Sequence, residues 1–108
     1  MHTRDVLLDK LTGAFAPVEL EVIDDSAAHR GHQGAAGGGG HFNVRIVSGA
    51  FEGKRLVARH RLIYEVLGEE MAGPVHALAL RTLTPAEAEA EAAAAAADEA
   101  AGNIIANV

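Results

Sequence analysis

The chain has 108 residues, no cysteine and a formal net charge of −6 at pH 7. The length suits one domain with a modest core and is too short for two; the missing cysteine excludes disulfides, thiolate nucleophiles and thiolate metal ligands, and fits a reducing, cytoplasmic setting. With three Phe, one Tyr and no Trp the core has to come from Leu, Val, Ile and Ala, and no run approaches the roughly 18–20 apolar residues of a membrane helix.

Met1 to Asp5 lacks the charged-then-apolar design of a signal peptide, so a soluble chain is expected. From Arg4 to Phe15, Val6, Leu7, Leu8, Leu11 and Phe15 fall at i, i+3, i+4 spacings and predict an amphipathic helix. Thr3 is its expected N-cap, Gly13 a late break and Pro17 the stop. Val18 to Ile23 alternates, which predicts a strand burying Val18, Leu20 and Val22; Asp24-Asp25-Ser26 ends it. Ala27 to Gly40 holds His29, His32 and four consecutive glycines, Gly37 to Gly40. Nothing there can pack, so a loop that is mobile without a ligand is expected. His41 to Ser48 alternates again, with Phe42, Val44 and Ile46 on one face and Val47 on the other. The simplest arrangement of the two strands is an antiparallel pair.

After the turn Gly49 to Gly53, anchored by Phe51, a helical period runs from Lys54 through Leu56, Val57, His60, Ile63, Tyr64 and Leu67 to Met71. Gly73-Pro74 ends it. Val75 to Leu80 predicts a third strand with His76, Leu78 and Leu80 in one phase, reached by a helical crossover. Thr84-Pro85-Ala86-Glu87 has capping-box spacing with Pro at the first helical position. Ala92 to Ala97 propagates a helix well but offers almost no apolar face beyond alanine. The order is αββαβ plus a C-terminal helix, an α+β class. Residues 1–85 form the expected domain, and 86–108 an Ala/Glu-rich tail, helical or partly disordered.

The charge is uneven. From Thr84 on, Glu87, Glu89, Glu91, Asp98 and Glu99 stand without a Lys or Arg, whereas His41 to Arg61 sets Arg45, Lys54, Arg55, Arg59 and Arg61 against Glu52 alone. A helix face carrying Lys54, Arg55, Arg59 and Arg61 can meet phosphates, although a solvated face is the commoner origin of such a cluster. His29 and His32 are near enough in sequence to reach one metal. A closed zinc site wants four ligands in fixed geometry, so solvated loop histidines are the simpler reading. His76, in core phase, reads as a half-buried strand residue or as a ligand at a strand end. Gly31-His32-Gln33-Gly34 matches GxxG but joins strands rather than helices, and is not read as a nucleic-acid clamp. Gly37 to Gly40 lacks the Lys-Ser/Thr that follows in a phosphate loop. With no nucleophile turn and no acid–base pair, a non-enzymatic role is expected.

Several stretches together resemble the BolA family in order and spacing, from the first helix to Pro85. They are Leu20-Glu21-Val22-Ile23-Asp24-Asp25-Ser26, His29, His41-Phe42-Asn43-Val44-Arg45-Ile46-Val47-Ser48 and Phe51-Glu52-Gly53. Arg59-His60-Arg61-Leu62-Ile63-Tyr64, Leu67-Gly68-Glu69-Glu70 and Val75-His76-Ala77-Leu78-Ala79-Leu80 follow. The resemblance implies a fold similar to class II KH domains, a three-stranded mixed sheet with helices on one face. It also implies a heterodimer with a monothiol CGFS glutaredoxin that shares a [2Fe–2S] cluster. In that pairing the glutaredoxin brings its cysteine and glutathione, and the BolA protein a third-strand His and a loop His or Cys. Carried over, the strand ligand is His76 and the loop ligand His29, with His32 in reserve and His41 in a structural role. Imidazole can replace thiolate on one iron, as in Rieske centres. Some members of the family regulate transcription, so the second implication is DNA binding through Lys54, Arg55, Arg59 and Arg61. Weak self-association is compatible with the sequence; a membrane partner is not expected. Two features depart from the family pattern: the Gly-rich loop, and an acidic tail that would repel DNA if it folds beside the basic helix.

Overall fold

A computed structural model describes residues 2–25 and 40–106, and of 98–106 the backbone alone. The elements are α1 (Thr3–Phe15), β1 (Glu19–Asp24), β2 (Gly40–Val47), a 3-10 turn (Gly49–Phe51), α2 (Leu56–Val66), α3 (Gly68–Ala72), β3 (Val75–Leu83) and α4 (Pro85–Ala106). The sheet order is β1-β2-β3, antiparallel between β1 and β2 and parallel between β2 and β3. A parallel neighbour requires a long crossover, and residues 48–74 supply it.

α1 buries Leu7, Leu11 and Phe15, a row at i, i+4, i+8. It starts differently from the sequence expectation: His2 is the N-cap, Thr3 is the first helical residue, and no side chain caps this end. Gly13 does not break it. The turn is made by Ala16 at φ 42°, whose N–H donates to Thr12 O at 3.1 Å, and Pro17 forbids continuation. The strand starts at Glu19, so Val18, expected inside, lies before it and is exposed, while Val22 is buried as expected.

The larger departure is in α2. Leu56, Val57 and Tyr64, expected in the buried stripe, are 59, 68 and 42% exposed, and the inward row is Arg59, Ile63 and Leu67. The row has helical spacing but begins with an arginine, which hydrophobic counting assigns to the outside. The helix also breaks at Leu67, where φ −99° and ψ 22° leave helical geometry, so α3 is a separate short helix. Met71 therefore flanks the core without continuing the stripe.

Side-chain alternation gives the sheet two unlike faces. Val22, Phe42, Val44 and Ile46 point to the side covered by α1, α2 and α3, and join Leu7, Leu11, Phe15, Phe51, Ile63, Leu67 and Val75 in the main core. On the other face β2 and β3 align Asn43 with Ala79, Arg45 with Arg81 and Val47 with Leu83. β3 runs three residues beyond the expected strand. α4 starts against that second face, where Ala88 packs on Val47 and Leu83; from Ala92 to Ala97 it is exposed.

Candidate functional site

The β2–β3 register slips once. Gly40 pairs with Val75 and His41 with Ala77, so His76 is the extra residue of a bulge. A regular strand would align His76 with Leu78 and Leu80 over the core. The bulge instead leaves Val75 buried and turns His76 out to solvent. His76 is thus an exposed imidazole at a strand end, not a half-buried core residue. His41 lies beside it, with ring centroids 5.3 Å apart and planes at 54°.

The surroundings of the pair are built by the chain. Gly40 N–H donates to Pro74 O at 2.6 Å, and an ideal Cβ on Gly40 would overlap the Phe42 ring, so glycine is required at this foot of the loop. At the other foot Asp25 N–H donates to His41 O at 2.7 Å, and Asn43 Nδ2 lies 3.5 Å from Asp25 Oδ2. A cleft of about 260 Å³, lined by Asp25, His41, Asn43, Ala77 and Ala79, opens here. His29, His32 and the Gly31 to Gly34 stretch lie outside the described residues. Among the described residues no group of three or more His, Cys, Asp or Glu could hold a metal. Of the histidine pair, His76 is exposed and His41 half-buried. Imidazoles bound side by side to one metal, at metal–nitrogen distances of about 2.0–2.1 Å, have centroids about 5 Å apart; the pair fits that spacing.

The four cations expected on one helix face divide. Lys54, Arg55 and Arg61 are exposed, whereas Arg59 is 6% exposed. Its Nε donates to Lys54 O at 2.8 Å, Nη1 to Thr82 O at 3.2 Å and to Glu87 Oε1 at 2.6 Å, and Nη2 to Glu87 Oε2 at 3.2 Å. Its donors are spent inside the fold, so Arg59 leaves the phosphate-binding set. Glu87 also accepts from Thr84 N–H at 2.8 Å and returns its own N–H to Thr84 Oγ1 at 3.2 Å, closing the capping box. The Arg59 guanidinium first, then the Thr84 N–H, hold the Glu87 carboxyl down at about 2. The capping-box glutamate was legible; that it caps and clamps a buried arginine 28 residues upstream was not.

The fold and site define a small α+β domain with a three-stranded mixed sheet and an outward histidine at the start of its last strand. Among the described residues no helix is long and apolar enough to cross a membrane. The family model described as BolA-like protein matches residues 11–87, and the chain belongs to the BolA family. SufE-like protein 1 (chloroplastic/mitochondrial) of Arabidopsis thaliana is 54% identical over 84 residues, 73% of this chain and 23% of that protein. The protein of Escherichia coli (strain K12) called DNA-binding transcriptional regulator BolA is 47% identical over 87 residues, 81% of this chain and 80% of that one. The chain therefore spans under a quarter of the first relative and most of the second. The solved BolA domain of SufE1 from Arabidopsis thaliana superposes with a TM-score of 0.70 and 48% identity, over 81% of this chain and 98% of that chain.

Proposed function

We propose that this chain is a cytoplasmic, non-enzymatic adaptor that pairs with a monothiol glutaredoxin and contributes His76 and a loop imidazole to a shared [2Fe–2S] cluster. The observation that carries this reading is the bulge that turns His76 outward beside His41. The exposed His76 imidazole supplies one ligand at this edge, a loop imidazole would supply the second, and a partner's thiolates would complete the set. His29 follows Asp25 by four residues, and Asp25 is hydrogen-bonded to His41. At about 3.3–3.6 Å per residue the chain can carry His29 no more than about 14 Å from that anchor, a tether that includes His76; His32 has a longer one. A bound cluster would supply a transferable, redox-active iron centre; this chain's part is to present and orient the imidazoles. Visible absorption and circular dichroism of a glutaredoxin's cluster, titrated with this protein, test the reading. A changed spectrum and a 1:1 complex are expected with wild type, both lost in His76→Ala, with His29→Ala deciding the loop ligand. No complex and no spectral change would reject it.

A second reading, DNA binding, has its own support. Lys54 and Arg55 before α2 and Arg61 within it are exposed, and the Escherichia coli relative is called a DNA-binding regulator. Fluorescence anisotropy with a mixed-sequence duplex should show binding that weakens with salt and with replacement of these three residues by Gln. Equal affinity of the triple variant and wild type would remove this surface.

A further inference from the structure

Arg45 of β2 and Arg81 of β3 are register partners on the face of the sheet that α1, α2 and α3 leave open. Like charges directly opposite each other repel, and the fold answers with carboxylates. Arg45 Nη1 donates to Glu19 Oε1 at 3.1 Å and Nη2 to Glu91 Oε1 at 3.4 Å, while Arg81 Nη2 donates to Glu91 Oε2. Glu91 therefore stands between two guanidinium groups, each of its oxygens on a different one, as a bound oxyanion would. Hydrogen bonding to Arg81 holds its carboxyl below the usual carboxylate range.

Beyond the Glu87–Arg59 clamp in its first turn, the helix that delivers Glu91 is lightly held. Its packing is Ala88 against Val47 and Leu83, its ion pairs run through Glu87 and Glu91, and Ala92 to Ala97 are exposed. Arg81 also lines a groove of about 680 Å³ between α2 and α4, with Leu56 and His60 on one wall and Ala90 and Glu91 on the other. Thr82 lines it too, and its buried Oγ1 has no hydrogen-bond partner among the described residues. The α2 wall begins at Leu56, the residue after the exposed cation Arg55.

We propose that Arg45 and Arg81 form an oxyanion site which Glu91 fills from within the chain, and which the phosphodiester backbone of duplex DNA takes when α4 gives way. The ligand rests on the DNA-binding reading above; the fork rests on its own geometry. A phosphate presents two oxygens as a carboxylate does, and ion pairs that stay partly open to solvent, as these do, are individually weak enough to be displaced. The tail helix is then a built-in competitor that raises the threshold for binding a polyanion.

The test uses the full chain and a short mixed-sequence duplex. Glu91→Gln should bind roughly 3- to 30-fold more tightly than wild type, the range that two solvent-accessible ion pairs are worth. Its log–log salt slope should be steeper by about one, for the one phosphate newly met. In the Arg45→Gln/Arg81→Gln background, Glu91→Gln should change nothing. Equal affinity and slope for wild type and Glu91→Gln would overturn the proposal while leaving DNA binding in place. If no form binds the duplex, the DNA reading falls and pyrophosphate titration followed by NMR decides the fork. Shifts of the Arg45 and Arg81 side-chain N–H groups in Glu91→Gln support it, and their absence overturns it.

Discussion

Arg59 illustrates what a single residue's chemistry hides. Its charge suggests the surface, yet its guanidinium is enclosed by two backbone carbonyls and the Glu87 carboxylate. Replacing it with Met keeps the stem's volume and removes every donor. Thr82 O and Lys54 O lose their partner and Glu87 its counter-charge. Breaking a fully buried pair costs about 3–5 kcal/mol; Glu87 is half-exposed, so roughly 2–3 kcal/mol is expected for Arg59→Met, seen as a lower urea midpoint at unchanged slope. Lys54→Gln and Arg61→Gln should move stability by no more than about 0.5 kcal/mol. A surface arginine's small effect at Arg59 would contradict the burial. The same residue explains why the stripe of α2 was misread from sequence. Leu56, Val57 and Tyr64 outvote Arg59 on any hydrophobic count, and the choice is made by a partner on α4 that no local pattern reveals. His76 is the parallel case: period-2 counting puts it over the core, and one extra residue in β3 turns it out.

At the scale of elements, the strands, the crossover and the tail helix were legible because each rests on local patterning: alternation in β1 and β2, a helical period across the crossover, a capping box at Thr84. Their joints were not. The αL turn at Ala16, the break at Leu67 and the β3 bulge depend on tertiary contacts that override propensity. The joint between α2 and α4 has a pH signature. Glu87 has its carboxyl at about 2 in the fold against an ordinary 4.5. A depressed carboxylate contributes stability that is complete above about 4.5 and lost as pH falls through about 2. Glu87→Gln removes that contribution. At neutral pH the variant should be the less stable protein, and the gap to wild type should close between pH 4.5 and 2. Urea midpoints of both proteins across that range measure it. Parallel curves would mean that Arg59 does not hold Glu87 in solution.

For the whole molecule, net charge is a poor guide, because acid and base are segregated and then partly recombined. The tail's Glu87 and Glu91 take up Arg59, Arg81 and part of Arg45, which leaves Lys54 and Arg55 before α2 and Arg61 within it as exposed cations. The histidine pair sits at the other end of β3. His76 and Arg81 are five residues apart on this strand, about 16 Å at the usual strand rise, and the Debye length at physiological salt is about 8 Å. A change of charge at one end is therefore largely screened at the other, and sites this far apart without shared partners behave additively to about 0.3–0.5 kcal/mol, or within about two-fold in affinity. Two separable losses are expected. His76→Ala should lose the glutaredoxin complex and keep its DNA affinity within about two-fold. The Lys54→Gln/Arg55→Gln/Arg61→Gln variant should lose DNA and keep the glutaredoxin complex. Size-exclusion chromatography with glutaredoxin and anisotropy with duplex, run on the same preparations at one salt concentration, decide it. Loss of both activities in either folded variant would mean that one continuous surface serves both partners, and that they exclude each other.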